Sequence, residues 1–516
     1  MKIERTKNAV RNIKAGLILR VYQTIAPFLM RTAMIYFMGV QYLGLNSLFA
    51  SILQVLNMAE MGIGHAMVYA MYKPIAQDDE QTICGLMWLY RKYYRVIGSL
   101  IALVGLILTP VVPHLITGEV PAELNVYALY LLNLGATVLT YWLFAYKNCL
   151  LQAHQRSDIT NWITSITYTA QCVAQLGILL FLKNYYLYVI VSLGTQALNN
   201  ILTAIVVTRK YPNYKPVATL SPELVREING KIRDLFTAKL GAVVLKSSDT
   251  IVISAFLGLV PLAIYQNYFF IVGSVLSVLE IILSSMMAGL GNSFVLETKE
   301  KIFQNLQKFT FLFLWLIGVC TCCFLAMYQP FMEIWVGPEL MLGFGEVICF
   351  AAYFFIYTFN RLLSIYKDAA GLWHEDRFRP LVTAFVNLGL NLLTIRFWGI
   401  YGVLLSTVIA IVLVEMPWVL HNLFTYFFEK RLLGRYLKQL LCQIPITVAA
   451  GTAVCLICSL TGFSKWPQFF FAAAVAVVVP NLLFYVALRK HPQFGPGVRF
   501  LDRVTKKKLG LARRLL

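Results

Sequence analysis

Along the chain, apolar runs alternate with short polar junctions, and each run is about long enough to cross a bilayer at 1.5 Å per residue. Fourteen such runs can be drawn, at 16–39, 43–72, 94–116, 124–151, 159–182, 185–208, 232–259, 262–294, 309–328, 342–363, 380–397, 402–427, 437–460 and 467–488. The second exceeds a simple crossing and is expected to tilt or project beyond the surface. The break between Phe397 and Gly402 is the weakest of the set. The pattern predicts an all-α polytopic membrane protein with about 14 transmembrane helices.

The informative positions are those where the apolar pattern fails. The run 235–259 contains Lys239, Lys246 and Asp249. Each charge inside such a run costs roughly 2.5–3.5 kcal/mol even on the mildest scale. At about 100° per residue, Lys239 and Lys246 project within about 20° of each other and Asp249 about 60° further round. One side of the helix therefore collects all three, and a bundle interior or a water-filled cavity is its simplest surrounding. Other deep charges are Arg31, Glu60, Glu280, Arg361 and Glu415, with His65 as a packed or interfacial histidine. Arg20, Lys147 and Lys367 lie near run ends, where long basic side chains can snorkel to the surface.

Two readings of these charges stand side by side. An arginine cannot shed its proton, so Arg31 and Arg361 each need an anion. A basic cavity of Arg31, Lys239, Lys246 and Arg361 would receive an anionic head group. Internal pairing, Lys246 with Asp249 or Arg31 with Glu60, would instead satisfy the charges locally. Asp249, Glu60, Glu280 and Glu415 are candidates for ion coupling through H⁺ or Na⁺. Gly62 and Gly64 follow Glu60, and Pro417 follows Glu415. Breakers beside deep acids fit interrupted helices at a site, and they also fit plain close packing.

Lys and Arg gather in alternate junctions, which places both termini on the cytoplasmic side by the positive-inside bias. Residues 209–231 form the longest polar connection before the tail, and Ser221-Pro222-Glu223 there is a helix-start signal. This connection divides the chain into an N-lobe (1–208), a cytoplasmic linker (209–231), a C-lobe (232–430), two extra helices (431–490) and a basic cytoplasmic tail (491–516). The lobes repeat faintly. Gly39 precedes the second run and Gly258 the eighth, with Glu60 and Glu280 following them by 21 and 22 residues. Two six-helix lobes related by an internal repeat is a transporter architecture with its site between the lobes.

Composition agrees. Of 516 residues 59% are hydrophobic and 13% charged, half the charged share of a soluble protein. The net charge of +20 resides in the junctions, so membrane topology accounts for it and no nucleic-acid partner is expected. The ten cysteines show no metal-site spacing or disulfide framework. The basic start leads into a run too long for a cleavable signal. Phosphate-loop, zinc-protease and nucleophile-elbow motifs are lacking, and no outer loop could hold a catalytic domain, so no catalytic residue, metal or cofactor is assigned.

Several stretches resemble bacterial polysaccharide flippases, exporters of lipid-linked oligosaccharides in the superfamily that also holds the multidrug and toxin extrusion transporters. They are Tyr42-Leu-Gly-Leu-Asn-Ser-Leu-Phe49, Met58-Ala-Glu-Met-Gly-Ile-Gly64, Tyr72-Lys-Pro-Ile-Ala76, Ser248-Asp-Thr-Ile-Val-Ile-Ser-Ala-Phe-Leu-Gly258 and Ile334-Trp-Val-Gly337. Asn360-Arg361, Lys367-Asp-Ala-Ala-Gly-Leu-Trp373, Asp376-Arg-Phe-Arg-Pro380, and Trp398-Gly-Ile-Tyr-Gly402 with Thr407 complete the set. The resemblance implies a cavity between two lobes and alternating access that carries an undecaprenyl-pyrophosphate-linked glycan to the outer leaflet of the cytoplasmic membrane. It implies basic cavity residues on the pyrophosphate, with membrane lipids, a polysaccharide polymerase and glycosyltransferases as partners. The mix of buried acids with bases departs from a purely cationic cavity. A multidrug or cation antiporter on the same fold, and a membrane enzyme of glycan assembly, are the alternatives.

Overall fold

A computed structural model of the chain describes residues 5–60, 62–216 and 220–504. Within its helices, the side chains of 5–10, 13–14, 17, 59, 65, 231, 234–239, 242, 246, 288–289, 292, 295 and 504 lie outside the description. The described residues form helices and no strand. Each of the fourteen expected runs falls on helical segments. Among the described residues, nine helices are long and apolar enough to cross a membrane, or ten if the bent pair Val126–Trp142 and Ala145–Ala153 is one crossing. One of these, Trp373–Phe427, covers two of the expected runs. The other three expected runs carry charged side chains or a helix break.

By internal packing the chain divides into two compact units, Met1–Ala263 and Ile264–Leu516. The first holds α1 (Arg5–Phe37), α2 (Val40–Leu56), α3 (Ile63–Ala76), α4 (Glu80–Leu108), α5 (Val126–Trp142), α6 (Asn148–Ala153), α7 (Ser157–Gly177), α8 (Tyr185–Lys210) and α9 (Pro222–Leu257). α10 (Leu259–Leu296) starts in it and continues into the second unit. Ser221 caps α9 as its sequence suggests, its side chain accepting from the Leu224 amide with Pro222 at the first helical position. α9 packs on α2 and α3. The packing boundary thus falls inside α10, whereas the polar connection at 209–231 runs from the end of α8 into the first turns of α9.

Gly39 and Gly258 do the same work in the two halves. Gly39 (φ +120°) separates α1 from α2, and Gly258 (φ +96°) separates α9 from α10. These backbone angles favour glycine. A Cβ on Gly258 would also collide with the Thr117 carbonyl. The Thr117 amide donates to the Ser254 carbonyl at 3.1 Å and its hydroxyl to the Ala255 carbonyl at 2.6 Å. On α4, Val96, Leu100, Leu103, Leu106 and Ile107 are exposed at helical spacing, an apolar stripe suited to lipid.

The second unit holds α11 (Lys299–Val336), α12 (Phe344–Ala369), α13 (Trp373–Asp376), α14 (Arg379–Ala410), α15 (Met416–Asn422), α16 (Lys430–Ser459), α17 (Lys465–Leu488) and α18 (Phe494–Val504). α14 is a hairpin of two arms broken at Gly399 (φ +55°), where the weak sequence break was expected. Asn387 Nδ2 donates to Thr407 Oγ1 at 2.9 Å, tying one arm to the other, and Asn391 Nδ2 donates to Asn387 Oδ1 at 3.3 Å within the first arm. A wide turn, Ile411–Glu415, leads into Pro417, whose missing N–H removes a helix hydrogen bond. α16 and α17 pack on α11 through Ala450, Val454, Ala472, Ala476 and Phe484. Small residues there permit the close approach that packing inside a bilayer relies on.

Candidate functional site

In the first unit the helix that begins at Val40 breaks before it resumes. α2 ends at Leu56, a short 3₁₀ turn covers Asn57–Glu60, and α3 starts after Gly62 (φ +108°). The sequence pairing of Glu60 with Gly62 thus marks a real interruption. Glu60 projects among phenols. Tyr94 donates to its Oε1, and Tyr141 to Oε2 at 2.8 Å. Tyr90 donates to the Tyr94 hydroxyl at 2.8 Å, and Tyr141 also reaches Asn57 Oδ1 at 3.1 Å. Tyr90, Tyr94 and Tyr141 are buried. Among the described residues no cation pairs with Glu60, so Arg31 is not its partner.

Arg31 sits partly buried on α1, with the phenols of Tyr168 on α7 and Tyr188 on α8 near enough to act on its charge. The neighbouring wall is polar. Thr195 Oγ1 donates to Gln171 Oε1 at 2.9 Å, Gln171 Nε2 to Ser192 Oγ at 3.2 Å, and Gln175 Nε2 to the Tyr188 carbonyl at 3.0 Å. On α9, Asp249 is buried together with Ser247, Ser248, Thr250 and Ser254. Lys239 and Lys246 lie in the same helix, but their side chains are outside the described residues, as is that of His65.

The second unit treats its charges differently. Arg361 on α12 grips Glu280 on α10 with both arms of its guanidinium, Nε to Oε1 at 2.7 Å and Nη2 to Oε2 at 3.2 Å. Each side chain is 36% exposed, so the pair is only half-buried. Arg361 therefore already has an anion, and this fork-to-fork geometry is the strong kind. Glu415 is likewise engaged, accepting from Arg379 Nη1. Arg379 in turn chelates Asp376 at 2.7 and 2.9 Å. Lys367 reaches Asp376 at 2.8 Å and Asp368 at 2.5 Å. Its side chain is only 6% exposed, which corrects the expectation that it snorkels: two carboxylates hold it inside. Lys147 donates to Thr208 Oγ1 at 2.6 Å, and Arg20 is exposed.

The hydropathy pattern missed the phenols around Glu60, although Tyr90 and Tyr94 stand one helical turn apart. It also missed Asp376 and Arg379 as partners, because both read as loop residues. Within each unit the structure joins Glu60 to its tyrosines, and Glu280 to Arg361.

No family model and no curated protein sequence matches the chain. Solved structures do. The lipid II flippase MurJ in an inward closed conformation gives a TM-score of 0.66 at 12% identity, covering 93% of this chain and 99% of that one. An inward-facing multidrug resistance MATE family transporter of the MOP superfamily gives 0.62 at 12% identity, covering 82% and 99%. A MOP superfamily transporter from Pyrococcus furiosus gives 0.54 at 12% identity, covering 83% and 96%. The fold is thus the all-α transporter fold these proteins share, in a multi-pass membrane protein. At this identity the likeness speaks for the fold, and function has to be argued from the site.

Proposed function

We propose that this protein flips an undecaprenyl-pyrophosphate-linked oligosaccharide across the bacterial cytoplasmic membrane, for capsule or O-antigen-type surface polymers. The observation that carries the reading is the extent of the flippase likeness. That match takes in 93% of the chain, against 82% for the MATE transporter, and the excess is about the size of the α16–α17 pair. A pyrophosphate head must cross about 30 Å of hydrocarbon. Charged side chains carried by α1, α9 and α12 would lower this barrier, while the lipid tail stays in the bilayer. Arg31, Lys246 and Lys239 are the proposed head-group cations. Arg361 joins only when Glu280 yields. Two six-helix lobes, 1–208 and 232–430, alternate access, with both termini cytoplasmic.

Glu60 is the proposed coupling acid, binding H⁺ or Na⁺ from solution within its ring of hydroxyls. Asp249 is a second candidate. Glu280 and Glu415 are less suited, since each already holds an arginine. The phenol-ringed acid also favours a second reading, a cation antiporter, because a carboxylate among aromatic rings suits an organic cation.

The test is complementation of a deletion strain with Arg31→Ala, Lys246→Ala and Arg361→Ala, with membrane levels measured in parallel. Surface glycan is expected to fall more than tenfold for the first two. Full surface glycan from all three rejects the site. Unchanged glycan in the deletion strain, together with drug resistance on overexpression, selects the antiporter instead.

A further inference from the structure

The last described helix is firmly built into the second unit. α18 begins five residues after α17 ends, so it lies at the membrane face where α17 emerges. Phe494 and Val498 are buried against α11. Phe494 packs edge-on to Phe311, whose ring stacks on His491 at 5.0 Å. Phe500 meets Phe309 edge-on at 5.1 Å. A Cβ on Gly497 would come within 3.0 Å of Leu312, so the two helices approach closely there.

Cations gather on the outer side of this seam. Lys308 of α11 lies over the rings of Phe309 and Phe500, at 4.8 and 5.4 Å, and donates to Asn305 at 2.8 Å. Lys301 and Arg503 are near enough to repel its charge, and Glu297 is the acid near enough to ease it. Arg499 and Arg503 are exposed on α18, and Arg489 and Lys490 on the turn before it. Among the described residues no carboxylate forms an ion pair with Lys308, Arg499 or Arg503. Beyond α18 the sequence adds Lys506, Lys507, Lys508, Arg513 and Arg514. Residues 489–516 thus hold nine basic side chains and one acid, Asp502.

We propose that α18 and the seam it makes with α11 form a docking surface for the head groups of anionic phospholipids, with Lys308, Arg499 and Arg503 as its fixed cations. Three like charges held together repel one another until an anion enters. The apolar side of α18 is taken up by α11, which holds the basic side at the depth of lipid phosphates. A basic helix continuous with a membrane-spanning one has an anionic leaflet as its nearest counter-charge. The aromatic rings under Lys308 keep its ammonium in place and leave its outer side for a phosphate. This proposal does not depend on the identity of the transported substrate.

The test uses the full chain in a neutral detergent, titrated with phosphatidylglycerol or phosphatidylcholine, with bound lipid read by native mass spectrometry. Wild-type protein is expected to retain phosphatidylglycerol preferentially. Each neutralised cation should weaken that preference about fivefold. The triple variant Lys308→Gln/Arg499→Gln/Arg503→Gln should therefore approach the phosphatidylcholine level, while Lys308→Arg keeps the preference. Equal retention of both lipids by the wild type, or equal phosphatidylglycerol retention by wild type and triple variant, overturns the proposal. Displacement of the lipid by millimolar inorganic phosphate also overturns it, since the site would then read a free anion. Should the triple variant fail to fold, the salt dependence of phosphatidylglycerol binding to wild type decides. Binding weakened by salt supports the surface, and binding indifferent to salt rejects it.

Discussion

Glu60 and Glu280 stand at nearly matching distances from the glycines that break their respective halves, and they have opposite surroundings. Glu60 lies at a helix interruption and is met by neutral hydroxyls from α4 and α5. Glu280 lies inside the unbroken α10 and is met by a guanidinium. Glu60 has no guanidinium partner among the described residues, whereas removing the Glu280 carboxylate would strand Arg361. The comparison teaches that a repeat in sequence preserves the depth of an acid and leaves its chemistry to the neighbours.

The strongest way to break this comparison is at the deepest ion pairs. Asp376→Ala removes the carboxylate shared by Lys367 and Arg379, both nearly buried, and should destabilise the protein by roughly 3–5 kcal/mol. Thermal unfolding of the purified protein measures it; a loss below about 1 kcal/mol would mean that water already screens this cluster.

Glu280→Gln comes next. Arg361 then lacks its carboxylate, but the site is partly open to water, so a loss of about 1–3 kcal/mol is expected. The double variant Glu280→Gln/Arg361→Gln should recover part of it. A double variant no more stable than Glu280→Gln alone would show that the two side chains are not coupled.

Glu60→Gln should be milder, about 1 kcal/mol, because the amide oxygen can still accept from Tyr94 and Tyr141. Transport in proteoliposomes should nonetheless lose its response to an imposed pH gradient. An intact response in this variant moves the coupling elsewhere, with Asp249 the first place to look. Smallest is Tyr141→Phe, which removes one donor to Glu60 and should cost about 0.5–1 kcal/mol. Its sharper readout is a shifted pH profile of transport, which a purely structural role for the hydroxyl would leave unmoved.

The basic seam under α18 was legible only as charge. The tail reads as Lys and Arg in sequence, while its convergence with Lys308 depends on α18 folding back along α11. Lys367 shows the same limit from the other side. Its place near a run end suggested a solvated ammonium, and the α12–α14 connection instead returns Asp376 to cover it. The helix breaks fared better. Gly39, Gly258, Gly62 and the Phe397–Gly402 junction each act within a few residues, so local sequence announces them.

Sequence alone determined the membrane class and the helical segments. In hydrocarbon every backbone N–H and C=O must be paired within its own helix, so span length and apolar content suffice to place the helices. Only the tertiary structure decided which charges are free for function. Glu60 and Tyr141 are 81 positions apart, as are Glu280 and Arg361, and Arg379 and Glu415 are 36 apart. Whether an ionised group meets a hydroxyl or an opposite charge depends on helix packing, and no periodicity within a single span records it.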